Sequence, residues 1–174
     1  MEQFFLSIYM KRINILEKKF QIITYKYPSK KYNEIKNELI NLYSKCEPDE
    51  NLFKPLMKNS SVISIQYRKR IIGFAVITPN KLLKKYKDYK KKGGLKKNGL
   101  FLTSLCGNNK YKGIGPVIFK YLDQYAEEHN YTYIGLHVSK ERPWLKLFYE
   151  KNCFKNIDYL SKINKDFFIM RKYY

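Results

Sequence analysis

The stretch from Leu100 to Phe154 constrains the fold most, because its hydrophobic period switches between that of a strand and that of a helix in a fixed order. Leu100 to Cys106 is an apolar run of the kind found in buried strands, ended by Gly107-Asn108-Asn109. From Gly113 to His129, Ile114, Val117, Ile118, Tyr121, Leu122 and Tyr125 keep the helical spacing, while Asp123, Gln124, Glu127 and Glu128 fill the opposite face. Tyr131 to Val138 is again strand-like. Pro143 to Asn152 predicts a shorter helix, with proline in the first turn, where a missing N–H costs nothing. Phe154 to Tyr159 returns as a strand. This alternation predicts an α/β fold with a mixed central β-sheet flanked by helices on both sides.

The flanking segments extend the same sheet. Residues 1–28 alternate weakly and read as one long strand or a hairpin. From Ser29 onward Tyr32, Ile35, Leu39, Leu42 and Tyr43 recur at steps of three and four, which predicts an amphipathic helix with Ser29 as its cap. Residues 47–61, with two prolines, are expected to form a short helix or an irregular connection. In Ser61 to Thr78, Ile63, Ile65 and Tyr67 alternate with polar residues, the basic turn Arg68-Lys69-Arg70 follows, and Ile71 to Ile77 returns as an apolar strand interrupted by Gly73. Phe167 to Lys172 supplies a last strand. At 174 residues, 44% of them hydrophobic, the chain is the size of a single domain with a substantial core. Residues 1–174 are therefore expected to form one domain, with a functional core over about 100–154 and a basic loop over 81–97.

Net charge is +20, and its first reading is a polyanionic partner. Two observations weaken that reading. Of the 35 basic residues 30 are lysine, and alanine occurs only at Ala75 and Ala126, a usage that an AT-rich genome produces whatever the function. The excess is also local, since Lys81 to Lys97 holds nine lysines against Asp88 and accounts for +8, leaving +12 elsewhere. Nucleic acid is thus a disfavoured partner, with the 81–97 loop as its candidate grip. The uncharged stretch Gln3 to Met10 is too short for a membrane span or a secretory signal. Cys46, Cys106 and Cys153 match no zinc module or secreted disulfide framework, so a reducing, cytoplasmic setting is expected, with Cys106 and Cys153 as small buried residues.

The chemistry-bearing feature is Lys110-Tyr111-Lys112-Gly113-Ile114-Gly115, where a strand ends and the long helix begins. Such a turn aims consecutive backbone N–H groups at an anion from the positive end of a helix, and glycines let a phosphate approach closely. It is not a Walker loop, because no Gly-Lys-Ser/Thr follows, and Ile118 stands where a dinucleotide fingerprint has its third glycine.

With Leu147-Phe148-Tyr149-Glu150-Lys151-Asn152-Cys153-Phe154 about 35 residues downstream, this turn resembles the paired motifs of the GNAT superfamily of N-acetyltransferases, which use acetyl-coenzyme A (acetyl-CoA). The similarity covers roughly residues 60–174. It implies that the coenzyme pyrophosphate lies over the amides of Tyr111, Lys112, Gly113, Ile114 and Gly115, with Lys110 beside it as a point charge. It also implies that the strand ending at Ser104, Leu105 and Cys106 splays from the strand around Leu136 and pairs with the pantetheine arm. The Leu105 amide would then face the thioester oxygen, and Tyr149 would protonate the departing thiolate. His137, which alternates with Tyr133 and Gly135, is the candidate base for the incoming amine.

The sequence departs from the family at four positions. Lys110 replaces Gln or Arg, Cys153 replaces the glycine before the final Phe, Arg142 stands where an Asn is often found, and Leu145 stands for a small residue. With Cys153 there, Asn152 is expected to take the left-handed conformation that ends the helix. The implied activity is direct acetyl transfer to a primary amine of a peptide N-terminus, a lysine, a polyamine or a small amine, with no metal, by a monomer or homodimer. The alternative is a catalytically weak basic module of the same fold that binds nucleic acid or another polyanion.

Overall fold

The computed structural model describes residues 13–14, 18–46, 60–79, 98–162 and 165–174. Residues 47–59 of the connection expected over 47–61, and the lysine-rich loop over 81–97, lie outside them. Nine strands and three helices are found among the described residues: β1 (Ile13–Asn14), β2 (Gln21–Lys26), α1 (Lys30–Cys46), β3 (Ser61–Tyr67), β4 (Arg70–Pro79), β5 (Gly99–Gly107), β6 (Tyr111–Lys112), α2 (Ile114–Glu128), β7 (Tyr133–Ser139), α3 (Pro143–Lys151), β8 (Lys155–Lys162) and β9 (Lys165–Tyr173).

Seven strands form one sheet in the order β2-β3-β4-β5-β7-β9-β8. Only β5 and β7 run parallel; the other neighbours are antiparallel. This is the expected mixed sheet, and both of its faces are covered. On one face Tyr32, Leu39, Leu42 and Tyr43 of α1 pack with Val62, Phe74, Val76 and Cys106. On the other Val117, Ile118, Leu122 and Ala126 of α2, with Tyr149 of α3, pack against Ile63, Ile65, Ala75, Ile77, Leu136 and Val138. Two buried faces explain why Ile71 to Ile77 is a continuous apolar run rather than an alternating one. Leu39 and Leu122, both fully buried, each contribute about 1.5–3 kcal/mol.

Local signals are followed at the start of α1 and of α3. Ser29 Oγ accepts the Tyr32 N–H at 3.1 Å and caps α1. Pro143 occupies the first turn of α3. The exit from α3 corrects one expectation: Asn152 keeps φ −100, and Cys153 takes the left-handed position at φ 67. The reason is the hydrogen-bond closure of the helix, in which Phe154 N–H reaches Tyr149 O at 3.1 Å and Cys153 N–H reaches Glu150 O at 3.0 Å. That pair of bonds is a Schellman closure and requires the left-handed residue one position later. Asn152 serves it differently, donating its Nδ2 to Phe148 O at 2.8 Å. Cys153 is also exposed rather than buried.

Two further expectations change. Among the described residues of 1–28, β1 and β2 form neither one strand nor a hairpin with each other, because β1 runs parallel to β6 (Ile13↔Tyr111) while β2 pairs with β3 at the sheet edge. Nor are Cys46 and Cys106 separate thiols, since they form a disulfide joining the end of α1 to β5. The helical period that carries Leu39, Leu42 and Tyr43 onto the sheet brings Cys46, one turn on, over Cys106.

Candidate functional site

The site is built from a place where the sheet comes apart. β5 pairs with β7 at Gly99↔Tyr133, Leu100↔Ile134 and Phe101↔Gly135, and the ladder stops there. Beyond it β5 stays on β4 as far as Gly107, whereas Leu136 to Ser139 pair with β9. A wedge therefore opens between Leu102–Gly107 and Leu136–Ser139. Along the wedge, β5 turns an edge toward β7 that no strand among the described residues pairs with, and strand edges carry backbone donors and acceptors.

A bulge sets which side chains point where. Val76 pairs with Ser104 and Ile77 with Leu102, so Thr103 is the extra residue, its hydroxyl donating to Val76 O at 3.1 Å. Before the bulge Leu100 and Leu102 face α2; after it Leu105 packs on the α2 side and Cys106 on the α1 side. Ser104 and Leu105 are half-buried along the wedge.

At the mouth of the wedge β5 ends in a tight turn. Lys110 N–H donates to Asn108 Oδ1 and Tyr111 N–H to Asn108 O, both at 3.0 Å. The Tyr111 amide is thus committed within the chain, which removes it from the expected phosphate cradle, and Lys112 belongs to β6. Gly113, Ile114 and Gly115 remain as the candidate anion-binding amides at the start of α2. Gly113 has φ 86 and caps α2 with no side-chain hydrogen bond, there is no acidic residue in the first turn, and the first helical bond is Val117 N–H to Gly113 O. The amides of Ile114 and Gly115 consequently have no helical acceptor, at the positive end of a 15-residue helix.

Side chains hold this cradle against the sheet. A Cβ on Gly73 would lie 2.4 Å from Ile114 Cγ2, and one on its strand partner Gly107 would lie 3.1 Å from the same atom. Ile114 thus seats the first residue of α2 in a notch made by two facing glycines. Gly115 has a different task from the one expected: a Cβ there would lie 2.6 Å from Phe148 Cζ, so its bareness lets α3 close on α2.

Tyr149 is only 9% exposed, its ring set among Phe119, Phe148 and Phe154 at 5.4–5.9 Å. It shares the α2-side core with Leu105. His137 lies on the other face of β7, edge-on to Phe101 at 5.2 Å and 6.3 Å from Phe167. The two candidate proton-transfer residues therefore flank the sheet from opposite sides. Arg142 precedes α3 as its N-cap residue without a side-chain cap bond, and Leu145 is half-buried against the α2-side core. Among the described residues no cluster of His, Cys, Asp or Glu could hold a metal, and no helix is long and apolar enough to cross a membrane.

Solved structures similar to this chain include acetyltransferases. A GNAT-family acetyltransferase from Elizabethkingia anophelis, with acetyl-CoA bound, superposes with a TM-score of 0.64 at 13% identity, covering 89% of this chain and 98% of that one. The chain has the GNAT fold. An N-acetyltransferase from Staphylococcus aureus Mu50 gives a TM-score of 0.65 at 14% identity, with 90% of this chain and 98% of the other covered. A ribosomal-protein-alanine N-acetyltransferase from Brucella melitensis gives 0.61 at 13% identity, with 88% and 99% covered. No protein-family model matches the sequence, and no curated protein matches it either. Sequence reasoning located the GNAT-fold turn and the Tyr149 helix, and missed the glycine notch under Ile114 and the Cys46–Cys106 link. The isolated Gly73 within an apolar strand was the available signal for the notch.

Proposed function

We propose that the protein is an N-acetyltransferase that moves an acetyl group from acetyl-CoA directly to a primary amine. The observation that carries this reading is the wedge between β5 and β7 opening beside the uncapped start of α2. A linear molecule with an amide-rich arm and a pyrophosphate at one end matches that pairing. The donor supplies an acetyl group already activated as a thioester.

The chain's own residues would do the rest. The amides of Gly113, Ile114 and Gly115 would hold the pyrophosphate, with Lys110 and Lys112 exposed beside them as point charges. Ser104, Leu105 and Cys106 would pair their backbone with the pantetheine arm. The Leu105 N–H would stabilise negative charge developing on the acetyl oxygen, and Tyr149 would give its phenolic proton to the leaving sulfur. His137, on the opposite face of the sheet, suits an acceptor that enters from the α1 side and must lose a proton to attack. The acceptor is an amine of a peptide N-terminus, a lysine, a polyamine or a small molecule. That one structural neighbour is named a ribosomal-protein-alanine N-acetyltransferase supports keeping a protein amine among these.

Thiol release from acetyl-CoA with a panel of such amines tests the reading. Tyr149→Phe keeps the ring in its aromatic cluster and should lower turnover by roughly 10²-fold or more while leaving the affinity for acetyl-CoA intact. Unchanged turnover would remove Tyr149 from the mechanism, and no thiol release with any amine would overturn the proposed activity.

A further inference from the structure

A second concavity lies on the other side of β5 from the wedge. This cleft of about 670 Å³ is lined by Lys18, Tyr67, Arg68, Arg70 and Tyr111. Three parts of the chain converge there: Lys18 ahead of β2, the tip of the β3–β4 hairpin, and Tyr111 of β6. Sheet order separates the cleft from the wedge, because β4 and β3 flank β5 on one side and β7 on the other.

The lining has a definite chemistry. Among the described residues that line it, three are cations and none is a carboxylate. Converging cations raise the local affinity for anions. The two tyrosine rings stand edge to face at 6.0 Å, and the Arg68 guanidinium lies 5.2 Å over Tyr67. Both rings are half-buried; aromatic side chains at a cleft wall offer a surface for a base, and guanidinium forks match phosphate oxygens.

Backbone strain points the same way. Arg68 and Lys69 both hold left-handed conformations, φ 51 and 62, at the hairpin tip. Asn-Gly fills such a two-residue turn with least strain. A tip that sets two cations in strained positions beside a cationic cleft is the pattern of a binding element.

We propose that this cleft binds a nucleoside phosphate, with the phosphates on Lys18, Arg68 and Arg70 and the base against Tyr67 and Tyr111. Its volume is that of a small-ligand site, within the roughly 300–1,000 Å³ such sites span. The same chemistry has two sources, a free nucleotide and the adenosine 3′-phosphate end of coenzyme A. The hairpin-tip residues Tyr67, Arg68 and Arg70, which the coenzyme reading does not use, favour the free nucleotide. The inference stands apart from the acetyl-transfer reading, since the cleft shares only the turn at Tyr111 with the site described above.

The test is a fluorescence titration of the full chain with N-methylanthraniloyl-ATP, with and without saturating acetyl-CoA. Saturable binding that survives acetyl-CoA, is competed by ATP and weakens with added salt is expected. The double variant Arg68→Asn/Arg70→Gln should bind roughly tenfold or more weakly, as expected for lost hydrogen bonds to charged groups; Asn tolerates the φ at position 68. Arg70→Gln alone, an exposed position on β4, keeps the test decisive if the turn variant melts early. Displacement of the probe by acetyl-CoA would overturn a separate nucleotide site and assign the cleft to the coenzyme's own adenosine end. Undiminished binding by a variant that melts like the wild type would remove these arginines from it. Inorganic tripolyphosphate binding as tightly as ATP would refute the base contact.

Discussion

Gly73→Ala probes the packing that seats the phosphate turn. The added Cβ would fall 2.4 Å from Ile114 Cγ2 and 3.3 Å from the Cys106 carbonyl, so Ile114 or the strand must shift. Overpacking of this kind costs about 1–3 kcal/mol, offset by about 0.4–1 kcal/mol from the stiffer unfolded chain. The net loss is about 1–2 kcal/mol. For a chain of this length that lowers Tm by about 2–8 °C. Ile114→Ala removes the Cγ2 itself and should cost about 2–5 kcal/mol as a cavity. The two changes share one space, so the double variant should be more stable than the sum of the singles predicts, by about 0.5–3 kcal/mol. Urea denaturation of the four proteins, read by linear extrapolation, measures all of these quantities. Strict additivity, or a neutral Gly73→Ala, would refute the notch as the element that holds the start of α2.

Three other outcomes follow from the geometry. Cys153→Gly should stabilise the protein by about 0.5–1 kcal/mol, because glycine relieves the left-handed strain while giving back part of the gain in the unfolded state; a loss in chemical denaturation would contradict the Schellman closure. Reducing the Cys46–Cys106 disulfide opens a constraint between residues 60 apart, for which loop entropy predicts a loss of about 4 kcal/mol; equal stability with and without reductant would refute that link. Tyr174 donates to Asp123 Oδ1 at 2.6 Å, beside the Lys172–Asp123 pair. Burial first, then that hydrogen bond and the nearby Asp123 and Glu127 charges, push its pKa well above the ordinary 10.0. A phenol held protonated by the fold stabilises it fully below about pH 10 and less as pH rises through the raised native value. Thermal stability should therefore drop above pH 10 in the wild type and drop less in Tyr174→Phe.

The parts of the fold legible in the sequence are those fixed by local periodicity. Tyr32 to Tyr43 and Ile114 to Tyr125 announce their helices because each presents one apolar face to the sheet, and Ile63 to Tyr67 announce a strand by alternation. The β3–β4 turn was readable from Arg68-Lys69, although its conformation was not, since those residues usually avoid positive φ. What stayed hidden depends on partners distant in sequence. The bulge at Thr103 exists only relative to Val76 and Ile77, and the β1–β6 bridge joins residues 98 positions apart (Ile13↔Tyr111). Gly115 read as room for a phosphate because a glycine at a helix start has that meaning locally; its actual neighbour, Phe148, comes from another helix. The inward turn of the Tyr111 N–H to Asn108 O was equally hidden, because the acceptor is set by the tertiary course of the turn and not by the local pattern.

The most direct test of the account is an isothermal titration of the purified protein with acetyl-CoA, with free coenzyme A for comparison and Gly113→Val alongside. The account predicts saturable micromolar binding of both ligands to the wild type. It predicts loss of that binding in the variant, whose β-branched side chain is incompatible with φ 86. Absence of binding to the wild type at millimolar ligand would contradict the wedge and the α2 cradle as a coenzyme site.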